Sequence, residues 1–256
     1  MTTGQEQLVR RALITGGGRR IGRMLARQLA EEGFDVAVHY NRSQDGAEAV
    51  RDEIRAIGRR AITINADLSE EDAVANLVDA AIDQLGPLDL LVNNASLYEG
   101  DSLSTLNMES WRLLIDINLT APVFLMQAFA KQAPTPVNAS IVNVLDQQIT
   151  APSPEYFSYS VAKIGLEGAT RLAAFDFAPT IRVNGVAPGL VLESAGQTHE
   201  QFVERQRIMP LGIGLGPLDI ANAVIYLANA RHVTGQTIYV DSGQSLMGPG
   251  NSKLGT

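Results

Sequence analysis

The sequence predicts one α/β domain, a doubly wound parallel sheet flanked by helices. Three observations carry that expectation. Short β-branched runs alternate with longer amphipathic stretches along the chain. The short runs are apolar at successive positions, as strands covered on both faces must be. No linker, repeat or charge block divides the chain, so 1–256 reads as a single domain. Strand and helix taking turns in this way gives parallel strands joined by right-handed crossovers.

The first strand, R-A-L-I-T at 11–15, runs into T-G-G-G-R-R-I-G at 15–22 and a helix over 20–32. D-V-A-V-H (35–39) is the second strand and continues through H-Y-N-R-S (39–43) to a helix at 44–57. A-I-T-I-N (61–65) is followed by A-D-L-S (66–69) and a helix at 70–84. L-D-L-L-V (88–92) leads to N-N-A-S (93–96) and a long helix at 108–131. S-I-V-N-V (140–144) stops at Leu145-Asp146, ahead of a helix at 156–177 that carries Y-S-V-A-K (159–163). I-R-V-N-G-V (181–186) extends into V-A-P-G (186–189), and a helix at 218–229 with the strand T-I-Y-V (237–240) closes the domain. Segment 190–216 is too long for an ordinary connection and is hinged by Gly and Pro, the form of a loop that closes over a substrate. The tail 246–256 reads as flexible.

Composition narrows the function. The chain has no cysteine, which excludes disulfides and thiolate metal sites and suits a reducing cytoplasm. Its net charge of −8 disfavours nucleic acid and anionic membrane surfaces, so an anionic ligand must be held by a local cluster. The N-terminus has no apolar targeting segment, and no uninterrupted apolar run approaches the ~20 residues that span a bilayer. His39, His199 and His232 are scattered without ligand spacing, so no metal is expected.

The glycine-rich turn has the spacing Gly16-x-Gly18-x-x-x-Gly22 between a strand and an amphipathic helix. Glycines there let backbone N–H groups approach a pyrophosphate at a helix N-terminus. An acid after the second strand would hold a ribose 2′-hydroxyl. Arg42 and Ser43 stand there instead, with Arg20 in the glycine-rich loop. Guanidinium groups suit a 2′-phosphate, which favours NADP(H) over NAD. Tyr159 and Lys163 lie four residues apart, hence on one helix face. An ammonium beside a phenol lowers its pKa toward the working range of an acid–base catalyst.

These motifs, with Asn118 in D-I-N-L-T, occur in the order and spacing of the short-chain dehydrogenase/reductase family, which the whole chain resembles. The resemblance implies a Rossmann-type fold and hydride transfer from NAD(P)H, with Tyr159 as acid–base. Lys163 would hold the nicotinamide ribose, and Asn118 would support a proton-relay water. It assigns further cofactor contacts to Ile21, Asn41, Asp67, Leu68, Asn94, Ala95, Pro188 and Gly189. By the same resemblance the helices at 108–131 and 156–177 would build a homotetramer.

One position departs from the family. Most members carry a serine at the end of the strand before the catalytic helix, and here Asp146 follows Leu145. An ionised carboxylate cannot donate to a carbonyl oxygen, but it accepts from ring N–H and amino groups. This pattern resembles the pteridine reductase branch, including dihydromonapterin and dihydrofolate reductases. That branch implies Ser96, Tyr98, Asp146 and Tyr159 around a pterin stacked on Tyr98. Tyr98 stands where the branch typically has Phe, and Asn41 where it has His. Two alternatives stay open: a carbonyl reductase acting on a 3-oxoacyl, sugar or alcohol substrate, and a non-catalytic NADP-binding sensor.

Overall fold

A computed structural model describes residues 9–132, 138–193 and 196–247. Seven strands form one sheet: β1 (Arg10–Ile14), β2 (Phe34–Tyr40), β3 (Ala61–Asn65), β4 (Leu90–Asn93), β5 (Ala139–Val144), β6 (Ile181–Pro188) and β7 (Thr237–Val240). Their order is β3-β2-β1-β4-β5-β6-β7, and every neighbouring pair is parallel. The direction of winding reverses between β1 and β4. At such a switch point the loops leave the strand ends in opposite directions and open a crevice for a ligand.

The period of two along each strand divides the core. Ala12 and Ile14 of β1, and Leu90 and Val92 of β4, pack on one face with α1 (Arg20–Glu31), α2 (Gln44–Ala56) and α8 (Pro217–Asn229). Leu13 and Leu91, the intervening residues, pack on the other with α3 (Glu71–Leu85), α5 (Ala121–Lys131) and α6 (Phe157–Asp176). Both side-chain sets are buried, which is why the strands read as continuous apolar runs.

Two expectations change. The helix expected over 108–131 is continuous but not uniform: α4 (Met108–Ile115) passes into α5 through one π-helical turn, Asp116–Thr120. By length and composition this run would suffice to cross a bilayer, but here Leu114, Leu125, Met126 and Phe129 bury one side of it in the domain. Segment 190–216 contains a helix, α7 (His199–Arg207), started by Thr198, whose hydroxyl accepts the Gln201 amide while the Gln201 side chain accepts the Thr198 amide. That reciprocal capping stabilises a helix the Gly-Pro hinges obscure. Of the expected tail 246–256, Leu246 and Met247 belong to a 3₁₀ turn, Gln244–Met247, and 248–256 lie outside the described residues.

The last turn of α8 is closed from outside its own sequence. The Arg182 guanidinium on β6 donates to the carbonyls of Leu227 (2.7 Å), Ala228 (2.8 Å) and Ala230 (2.9 Å). A cation at a helix C-terminus satisfies orphan carbonyls and complements the helix dipole. Arg182→Ala is expected to lower unfolding stability by about 2 kcal/mol. Urea unfolding checks this, and an unchanged midpoint would show that water replaces the guanidinium at no cost.

Candidate active site

The site is assembled on the C-terminal ends of β1, β4, β5 and β6. After β1 the chain turns through Gly16, Gly17 and Gly18 into α1. The approach is so close that a Cβ at Gly22 would lie 2.1 Å from the Gly16 carbonyl oxygen. α2 docks on the same loop, and a Cβ at Gly46 would meet the Gly18 oxygen at 2.5 Å. That contact brings Ser43, at the start of α2, against Gly18. Gly46 was not singled out from the sequence, because its reason lies in a loop 28 positions away.

His39 holds this loop from beneath. The Gly16 amide donates to Nδ1 at 3.0 Å, and Nε2 lies 3.0 Å from the Ala66 carbonyl. Accepting at Nδ1 and donating at Nε2 requires the neutral Nε2–H tautomer. Burial lowers the pKa to about 4, against smaller opposing effects of Ala66 and Asp67. Thr15 is the second concealed support. Its hydroxyl oxygen accepts the amides of Asn94 and Ala95, both at 2.9 Å. The Asn94 side chain returns bonds to the Thr15 and Gly16 carbonyls at 2.8 and 3.2 Å. N-N-A-S is thereby fastened to the glycine-rich loop.

The structure parts the two arginines that the sequence grouped. Arg20 adopts φ +52°, in the left-handed region, and donates to the Glu193 carbonyl at 3.3 Å. It is turned toward segment 190–216. Arg42 stands by Asp67. The Ser69 amide and hydroxyl hold the Asp67 carboxyl below its ordinary pKa, with further help from the Asn41 side chain and the Arg42 charge. Arg19, exposed at the N-cap of α1, makes no side-chain hydrogen bond among the described residues. Ile21, the second residue of α1, packs against the core on one face of the sheet, and Leu68, in the turn after β3, is buried in the core on the other. Across it, Pro188 ends β6, and the Gly189 amide donates to Val240 at 2.9 Å.

On the substrate side, Tyr159 in the first turn of α6 donates to Asp146 Oδ2 at 2.9 Å. Asp146 Oδ1 accepts the Gln148 amide at 2.8 Å, so the carboxylate both caps a 3₁₀ turn and engages the phenol. Burial raises the Asp146 pKa, opposed by the Gln148 amide, the Tyr159 hydroxyl and the Lys163 charge. Lys163 Nζ donates to the Val144 carbonyl at 2.8 Å and lies 5.7 Å from the Tyr159 ring centre. Burial brings the ammonium down to about 8, with Asp146 working against that shift. The expected lowering of the phenol does not occur here. Burial and then the Asp146 charge hold Tyr159 well above its ordinary pKa, because Lys163 sits under the ring rather than at the hydroxyl.

Asn118 occupies the π-turn and is fully buried. Its Oδ1 accepts from Ser96 Oγ at 2.8 Å and the Leu97 amide at 3.2 Å, while Nδ2 donates to the carbonyls of Leu97 and Leu114. Tyr98 lies edge-on to Tyr159 with ring centres 4.8 Å apart. It also stacks on Tyr156 at 4.3 Å, a ring that sequence reading passed over. Gln148 joins the cluster, accepting from Ser160 Oγ at 3.1 Å and reaching the Tyr98 hydroxyl at 3.5 Å. Asp146, Tyr159, Lys163, Ser96, Tyr98 and Asn118 therefore form one contiguous group.

A backbone cradle for a pyrophosphate beside a buried phenol equips a nicotinamide-dependent oxidoreductase. The chain belongs to the short-chain dehydrogenase family, which it matches over residues 10–203. It is similar to FolM alternative dihydrofolate reductase 1 from Brucella canis, crystallised with NADP: 38% identity, TM-score 0.87, with 93% of this chain and 94% of that chain covered. It is 35% identical over 242 residues to the 3-oxoacyl-(acyl-carrier-protein) reductase FabG of Staphylococcus aureus, covering 93% and 98% of the two chains. A blue fluorescent protein from a metagenomic library, crystallised with NADPH, is 33% identical with TM-score 0.83, over 91% of this chain and 97% of that chain. The chain is an NADP-dependent oxidoreductase.

The neutral His39 ties the nucleotide loop to acidity. An exposed histidine takes a proton near pH 6.5, whereas His39 in the folded chain takes one only near 4. Stability present above pH 6.5 is therefore lost as pH falls toward 4, with about 3 kcal/mol at stake in this one group. His39→Asn keeps an acceptor for the Gly16 amide and should flatten that part of the pH–stability curve. Denaturant unfolding across this range checks it, and an equally steep curve in the variant would assign the acid sensitivity elsewhere.

Proposed function

We propose that the chain is an NADPH-dependent reductase of a pterin-type ring: a dihydropterin, dihydromonapterin or dihydrofolate. One observation carries this reading: the catalytic phenol donates to a carboxylate, Asp146, at the strand end where most of the family carries a serine. A ketone oxygen needs donors, and Asp146 when ionised offers only acceptors. A pterin ring presents amino and N–H groups that a carboxylate can receive. The similarity to the dihydrofolate reductase of Brucella canis points the same way.

The residues fit the cofactor, because the close approach at Gly22 leaves the loop's backbone bare for phosphates. Bound NADPH would supply the hydride. Gly16, Gly18, Ile21 and Gly22 would cradle its pyrophosphate, with Asn94, Ala95, Pro188 and Gly189 along the crevice. Arg42, Ser43 and Asn41, with Arg19 from the loop, would hold the 2′-phosphate, and Asp67 and Leu68 would flank the adenine. Arg20 would act on the substrate side, a role supported by its bond to the Glu193 carbonyl in segment 190–216. Lys163 has two N–H donors beyond the Val144 carbonyl to hold the nicotinamide ribose.

Tyr159 is protonated at neutral pH, the state required of a proton donor during reduction. Asp146 would orient its hydroxyl and accept from the ring. Asn118 fixes Ser96 at the mouth and would support a relay water from the π-turn. A flat ring seated on Tyr98 would also meet the phenol, since Tyr98 already lies against Tyr159.

The reading extends to a homotetramer. Leu113 and Phe124 on α4 and α5, and Val161, Ile164, Leu172 and Phe175 on α6, are exposed, Phe175 to 89%. A second copy would cover such faces.

A 3-oxoacyl or other carbonyl reductase is the second reading, favoured by the similarity to FabG. NADPH consumption with dihydrobiopterin, dihydromonapterin and dihydrofolate beside a panel of 3-oxoacyl esters and ketones separates them. Turnover of a pterin is expected, with Asp146→Ser reducing it by about 100-fold while NADPH binding persists. Ketone turnover without pterin turnover, undiminished in Asp146→Ser, would establish the carbonyl reductase.

A further inference from the structure

Tyr159 is the third residue of α6, so its position depends on how that helix begins. The residue before the helix, Tyr156, contributes no side-chain cap. Unless other groups reach them, the first amides of a helix have no partner. Here one residue from a distant loop satisfies two of them. The Asp101 carbonyl accepts the Phe157 amide at 3.2 Å, and Asp101 Oδ1 accepts the Ser158 amide at 3.0 Å. Asp101 Oδ2 takes the Ser158 hydroxyl, and the Asp101 amide donates to the Glu155 carbonyl at 3.0 Å. Asp101 lies three residues beyond Tyr98, whose ring stacks on Tyr156. The loop bearing the aromatic wall and the helix bearing the phenol are therefore fastened at one residue.

We infer that Asp101 is a positioning residue, a cap supplied from 57 residues away that sets the Tyr159 hydroxyl against Asp146 and holds Tyr98 at the right distance from it. A carboxylate suits the place, since the helix N-terminus is electropositive and both carboxylate oxygens find donors. The cap does not touch the glycine-rich loop, so it acts on chemistry and on the substrate rather than on the nucleotide. This inference rests on Tyr159 as the proton donor but not on which substrate is reduced.

The test uses the full chain and whichever substrate it turns over best. NADPH affinity is read from nucleotide fluorescence, kcat and KM from initial rates, and folding from thermal unfolding. Asp101→Ala should reduce kcat by roughly 10- to 100-fold, since misplacing a reacting group by an ångström costs about that much, with NADPH affinity within about twofold. Asp101→Asn keeps an acceptor for the Ser158 amide and can donate to the Ser158 hydroxyl, and should recover most of kcat. If Asp101→Ala does not fold, Ser158→Ala removes the hydroxyl contact alone and should lower kcat several-fold with the same retention of NADPH binding. Equal losses of kcat and NADPH affinity, or a kcat unaffected in both alanine variants, would overturn the inference. Tyr159→Phe run in parallel isolates the premise: its full activity would overturn the role of Tyr159 itself, independently of Asp101.

Discussion

A carboxylate and a phenol meet at the end of β5, deep enough that burial raises the pKa of both, and the surrounding structure makes that contact tolerable. Burying an ionisable carboxyl without partners would cost several kcal/mol. Asp146 is spared that by the Gln148 amide, the Tyr159 hydroxyl and the nearby Lys163 charge. Each of these sits where it does for a further reason. Gln148 is locked by Ser160, Lys163 by the Val144 carbonyl, and Tyr159 by the start of α6. Moving the carboxylate would unsettle the 3₁₀ turn, the helix and the strand end together. A serine in its place would demand less of its neighbours and would do different chemistry.

The site draws its parts from both sides of the switch point, and small polar side chains join them. Thr15 binds the end of β1 to the residues following β4 with a single hydroxyl. Deeper in the core, Asn93 donates to Asn143 and Asn143 to Thr170, a buried chain from β4 through β5 to α6. Such bonds are strong where water is excluded and expensive to leave unmade, so they fix the relative placement of their elements more sharply than apolar packing does. The fold thus delivers cofactor loop, phenol and aromatic wall in register. Two relatives of similar identity, a dihydrofolate reductase and a 3-oxoacyl reductase, show how little of the substrate's identity resides in that scaffold.

The strands, their parallel arrangement and the Tyr159–Lys163 pair were legible because each rests on local pattern: apolar runs, glycine spacing, a four-residue step on a helix. Asp146 was legible as an exception to a familiar pattern. What escaped sequence reading depended on distant partners. His39 acquires its role only when the Ala66 carbonyl and Gly16 amide converge on its ring. Gly46 matters because α2 docks on Gly18. The π-turn at Asp116–Thr120 adds a single residue to a helical period too briefly to register in the apolar spacing. The direction of the Tyr159 shift was misjudged for a related reason: four-residue spacing places Lys163 near the tyrosine but does not say which end of the ring it meets.

Arg20 holds a backbone conformation that costs a non-glycine residue about 1 kcal/mol or more. Glycine at that position would relieve the backbone strain and give up the bond to Glu193. What the arginine adds at this strained position is a guanidinium bonded to the Glu193 carbonyl, across to segment 190–216. Comparing the residue at this position among relatives of known substrate would separate chains that need the side chain from chains that need only the turn.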